Sequence, residues 1–128
     1  MAEKRAHLPR VAVIAAMEKE TLPLFGELEG AEETQILGPS YVGPARFHKG
    51  VIRGLPVLLA ESGIGTTNAS IATTGVIARF VPDLVVVAGT AGGLGRGIGA
   101  GEVGVAESAL YHEADATGPD QRLHCAPG

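Results

Sequence analysis

The strongest constraint on this chain is a pattern that occurs three times: short runs that are apolar at nearly every position, at residues 11–16 (VAVIAA), 55–61 (LPVLLAE) and 83–88 (DLVVVA). A strand with one wet face alternates apolar and polar residues. A strand apolar on both faces needs cover on both, as in a parallel sheet between helices. The intervening segments supply that cover. A helix is expected to begin between Glu18 and Glu20, with Pro23 tolerated in its early turns, and to run to about Leu28, where Gly30 stops it. Met17, Leu24, Phe25 and Leu28 then share one face. A second helix is expected over residues 68–80, capped by Thr66 or Thr67, with Ala69, Ala72, Val76 and Phe80 on one side and Pro82 ending it. Residues 34–53 read as antiparallel hairpin strands with bends, and residues 102–108 (EVGVAES) alternate like one more strand. Strands alternating with helices at this spacing indicate an α/β layered domain.

Composition narrows the function. With 19 Gly and 8 Pro but only 2 Tyr, 3 Phe and no Trp in 128 residues, the core has to be built from Ala, Val, Ile and Leu, with many tight turns. A net charge of -4, with 10 Lys plus Arg against 14 Asp plus Glu, gives no electrostatic footprint for nucleic acid or an anionic membrane. The first apolar run is far shorter than the roughly 18 to 20 residues of a membrane span, and no signal-peptide cleavage site follows it. The lone cysteine, Cys125, cannot form an internal disulfide, which is simplest in a reducing, cytoplasmic setting. A small-molecule ligand is the expected partner. Residues 1–10 read as a polar leader.

Four segments bear on chemistry. Ala16 to Glu20 (AMEKE) lies at a strand-to-helix junction, where α/β folds gather their sites. Glu20 can act there as a general base toward water, although the helix dipole alone also favours a glutamate in a first turn. Ser62-Gly63-Ile64-Gly65 resembles the start of a dinucleotide fingerprint, but Asn68 stands where the third glycine belongs, and Gly95, Gly97 and Ala100 fit the spacing only where a strand follows. Gly89-Thr90-Ala91-Gly92-Gly93 reads equally as a ligand cradle of backbone N–H groups or as a tight packing turn. Tyr111-His112-Glu113-Ala114-Asp115 puts His and Asp three apart, an incomplete metal set even with His124 and Cys125.

Together, AAMEKE at 15–20, ESGIG at 61–65, PDLVVVAGTAGGL at 82–94 and YHEAD at 111–115 resemble, in order and separation, the 5'-methylthioadenosine/S-adenosylhomocysteine nucleosidases. The resemblance implies a three-layer α-β-α sandwich of the nucleoside phosphorylase type with a mixed sheet. It also implies a hydrolase that frees adenine from methylthioadenosine, adenosylhomocysteine and related adenine nucleoside thioethers, without metal or redox cofactor. By the same resemblance Glu20 activates the attacking water, Thr90, Ala91 and Gly92 form the turn beside the ribose, and Ile64 is an apolar wall near the sugar. Tyr111, His112 and Asp115 fall in a segment near a homodimer interface. The family's chain is about twice as long, and its second half supplies the acid, the ribose-binding glutamate and the aromatic residue stacked on adenine. Residues 11–117 are therefore expected to be the N-terminal half of such a domain, and 118–128 an atypical tail from truncation or frameshift. The 128 residues alone are expected to be inactive or very slow. A purine nucleoside phosphorylase, a futalosine hydrolase and a non-catalytic remnant are the alternatives.

Overall fold

A computed structural model describes residues 9–38 and 41–109. Five strands form one sheet: β1 (Val11–Ala15), β2 (Glu29–Glu33), β3 (Arg46–Ile52), β4 (Leu55–Glu61) and β5 (Leu84–Val87). Two helices, α1 (Glu18–Phe25) and α2 (Thr66–Phe80), follow β1 and β4. The strand order is β2-β3-β4-β1-β5. β1 runs parallel to β4 and β5, whereas β3 is antiparallel to β2 and β4, so the sheet is mixed as expected.

Alternation across β1 and β4 explains their two-sided apolarity. Ala12, Ile14, Leu58 and Ala60 point to one face, where Ala72, Val76 and Phe80 of α2 and Phe47 of β3 complete a buried cluster. Val13, Val57 and Leu59 point to the other, against Leu28 and the partly buried Leu24 of α1. The sheet thus has a helix on each face, the three-layer arrangement. Pro9 is buried and Arg10 pairs with Asp83 (Nε–Oδ2 2.6 Å), so the fold takes in the last two residues of the polar leader.

Several local expectations change. α1 ends at Phe25, not near Leu28. The N–H groups of Glu27 and Leu28 bond three residues back, to Leu24 and Phe25, and this tightened turn lets the Leu28 side chain drop into the core. Phe25 is exposed and meets the His48 ring edge-on at 5.1 Å, while the buried residue of α1 is Thr21. Gly65 takes the N-cap of α2, so Thr66 and Thr67 fall inside the first turn, and the Asn68 side chain donates to the Ile64 carbonyl (2.8 Å). β2 (EGAEE) had no apolar signal and exists through its pairing with β3. β3 and β4 are joined at Arg53-Gly54, both with positive φ (50° and 79°), a tight turn suited to strand twist.

Val81 caps the carboxyl end of α2 at φ 48°, ψ 58°, a left-handed conformation unusual for a β-branched residue. The following Pro82 disfavours a helical Val81. The described residues 92–109 belong to a separate compact unit. Within it residues 102–108 make no strand; a ladder partner is what an alternating pattern requires, and the described residues of this unit supply none. A reciprocal pair of bonds closes a turn there, Gly99 N–H to Glu102 Oε2 (3.0 Å) and Glu102 N–H to the Gly99 carbonyl (3.4 Å).

Candidate active site

Parallel pairing brings three strand ends to one edge. Ala15 sits opposite Glu61, and Ile14 opposite Val87. The segments that leave β1, β4 and β5 therefore start side by side, which is where α/β sheets concentrate ligand groups.

Glu20 lies in the first turn of α1, three residues after the N-cap Met17, and its side chain folds back over the strand ends. Oε2 accepts the N–H groups of Ala16 and Met17, each at 3.1 Å. Oε1 accepts the Thr90 N–H (3.0 Å) and the Thr90 hydroxyl (3.1 Å) from the turn after β5. Four donors thus fix both carboxylate oxygens. The Thr90 backbone N–H is the largest influence on its acidity and lowers the pKa; partial burial opposes this, and the Thr90 hydroxyl and the Met17 and Ala16 N–H groups lower it further. Glu20 is held ionised, below the ordinary range of a carboxyl group. Gly89 makes room for this arrangement, since a Cβ there would stand 3.2 Å from Oε1.

A second tie runs behind the first. The Thr21 hydroxyl donates to Glu61 Oε1 (2.6 Å) and approaches the Glu18 carbonyl (2.9 Å), joining the start of α1 to the end of β4. The next residue, Ser62, is buried, and its N–H donates to the Ala15 carbonyl (2.8 Å). Gly63 follows at φ 82° with Pro44 packed where a side chain would project, so that turn requires glycine.

Of the residues singled out from sequence, Glu20 and Thr90 are in direct contact. Ala91 is exposed beside them, and Ile64 is 73% exposed in the turn after β4. Gly92 opens the separate unit and is exposed there. Tyr111, His112, Asp115, His124 and Cys125 lie outside the described residues. Among the described residues no cluster of three or more metal-ligating side chains occurs, and no helix is long and apolar enough to cross a membrane. Sequence reasoning missed the Thr21–Glu61 bond. The available signal was a polar residue at the first-turn position of α1 that faces the sheet.

Comparison with known proteins decides the lineage: a profile described as Phosphorylase superfamily matches residues 10–127. The chain belongs to the phosphorylase superfamily. Among its relatives is a 5'-methylthioadenosine/S-adenosylhomocysteine nucleosidase of Geobacillus kaustophilus, 37% identical over 108 residues, which are 84% of this chain and 43% of the relative. A nucleosidase of the same description from Bacillus thuringiensis is 35% identical over 119 residues, 93% of this chain and 49% of that one. The crystal structure of the Neisseria meningitidis nucleosidase, in complex with methylthio-immucillin-A, superposes with a TM-score of 0.61 at 38% identity, over 70% of this chain and 36% of that chain. The chain spans about half the length of the curated relatives it matches.

Proposed function

We propose that this chain carries the water-activating half of a nucleosidase that hydrolyses the N-glycosidic bond of 5'-methylthioadenosine and S-adenosylhomocysteine. The observation that carries the proposal is the Glu20 carboxylate, ionised and fixed by four donors at the shared edge of β1, β4 and β5. Relatives named as nucleosidases for these two substrates support the choice of substrate.

Hydrolysis adds a water oxygen to C1' of the ribose while the bond to the adenine nitrogen breaks and its electron pair leaves with the base. The sugar passes through an oxocarbenium-like state, so a base on the water and an acid on the departing ring both accelerate the step. Glu20 takes the water's proton. A carboxylate offers about four lone-pair positions, and the four donors fill them. Three of those donors are backbone N–H groups fixed by the fold; the Thr90 hydroxyl alone rotates, and its rotation frees Oε1 for the water. Ile64, Thr90, Ala91 and Gly92 flank the ribose in this reading, and the second half of the domain contributes the acid. A homodimer through the segment of Tyr111, His112 and Asp115, within a domain half spanning 11–117, and a cytoplasmic setting belong to the same proposal. The family resemblance supports the dimer, and the single cysteine supports the compartment.

Phosphorolysis is the competing reaction within the superfamily. It would bring a phosphate dianion to a helix start that carries Glu18 and Glu20, both acidic. The deciding experiment is a chimera in which this chain replaces the matched half of the Geobacillus kaustophilus relative. Adenine release from methylthioadenosine, unchanged by added phosphate and abolished by Glu20→Gln, is the expected result. Strict phosphate dependence, or a Glu20→Gln chimera as fast as its parent, would reject the proposal.

A further inference from the structure

We propose that Thr21 and Glu61 are positioning residues for the candidate base: the hydrogen bond between them sets where the Glu20 carboxylate stands against the turn after β5. The placement follows from the geometry, and the use made of the carboxylate rests on the nucleosidase reading.

α1 is a short helix with little apolar hold on the sheet. Of its eight residues only Thr21 is buried, at 1% exposure, while Leu22 and Phe25 are exposed and Leu24 is partly buried. So thin an interface would gain from an apolar side chain at position 21. It has a hydroxyl instead, whose oxygen lies 2.6 Å from Glu61 Oε1, the length of a charge-assisted O–H···O⁻ bond. Such a bond fixes distance and direction, which apolar contact does not. The acceptor is itself anchored. Glu61 pairs with Ala15 in the β1–β4 register, and the following N–H, of Ser62, also donates to the Ala15 carbonyl (2.8 Å). Its side chain leaves β4 on the face of Val57 and Leu59, the face that α1 covers.

Position 21 matters because position 20 precedes it. The two bonds to Glu20 Oε2 come from Ala16 and Met17, in the same stretch of chain, and they survive a movement of α1 as a unit. The two bonds to Oε1 come from Thr90 after β5, and they hold only while the first turn of α1 keeps its place over the strand ends. Among the described residues no other side-chain hydrogen bond ties α1 to a strand. Charge is the alternative route from Glu61 to Glu20. β1 and β5 carry no ionisable side chain and β4 carries only Glu61, with Arg46 of β3 opposite it in register and Glu18 and Lys19 beside Glu20 in α1. The two routes have opposite signs. As a neighbouring negative charge Glu61 would raise the pKa of Glu20; as the anchor of Thr21 it lowers that pKa, by keeping Oε1 on the Thr90 N–H.

Carbon-13 titration of the Glu20 carboxyl in the 128-residue chain separates these roles. Thr21→Val and Glu61→Ala should both move the pKa up toward its ordinary value, and Thr21→Ser should leave it in place. Thermal unfolding of each variant establishes that it is folded. In the chimera with the Geobacillus kaustophilus relative, Thr21→Val should lower kcat roughly tenfold to a hundredfold with KM little changed, and Thr21→Ser should restore it. A titration unmoved by Thr21→Val, one shifted down by Glu61→Ala, or a Thr21→Ser chain that behaves like Thr21→Val would overturn the inference, as would an active chimera whose kcat ignores Thr21→Val. A chimera that releases no adenine, alongside the expected titrations, upholds the positioning and counts against the nucleosidase reading.

Discussion

At the scale of single residues, Glu20 shows how a position that serves helix stability can also serve chemistry. A first-turn glutamate that bonds back to the N-cap N–H is an ordinary helix device, and it stands beside the helix dipole that the sequence offered as the alternative to catalysis. The difference is made by Thr90, seventy positions away, whose N–H and hydroxyl occupy the other oxygen. Because the folded pKa is lowered, ionised Glu20 contributes stability above its unfolded pKa, and that contribution is lost as pH falls through the folded value. Thr90→Ala removes the hydroxyl but keeps the dominant N–H, so the carboxyl pKa should rise part of the way toward its ordinary value; a carbon-13 titration of the Glu20 carboxyl would measure this. Gly89→Ala should raise it further, because the new methyl crowds Oε1 and pushes the carboxylate from both Thr90 donors. An unmoved titration in both variants would mean that Thr90 does not set the acidity of Glu20.

Among the elements, those that were legible in the sequence are the ones whose burial is intrinsic. β1, β4 and the face of α2 could be read because each buries its own apolar residues, and Ala72, Val76 and Phe80 are all in the core. β2 could not, since EGAEE is exposed throughout and its extended form comes from β3. Residues 102–108 had a strand's alternation without a ladder to join among the described residues. The Glu20–Thr90 contact was half visible: both residues stood in motifs, but only the parallel register of β1 and β5 makes them neighbours. Leu58→Ala, at a fully buried position in β4, should cost about 2 to 5 kcal/mol in denaturant unfolding. Thr21→Val keeps the shape of the side chain and deletes the bond from α1 to Glu61. It should cost roughly 1 kcal/mol, while Thr21→Ser retains the stability that the hydroxyl provides.

For the whole molecule, the stability of the sheet rests on the buried clusters on its two faces. One feature offers a way to raise it without touching the core or the site. Val81 closes α2 in a left-handed conformation at which L-residues other than glycine cost roughly 1 to 2 kcal/mol, and at 66% exposure its side chain has little packing to lose. The strain is thus an unspent reserve of thermal tolerance. Val81→Gly gives some of it back to unfolded-chain entropy, yet should still raise the melting temperature by a few degrees in scanning calorimetry. Because that position caps a helix on the far side of the sheet from α1, a thermally hardened chain should keep the acidity of Glu20 unchanged.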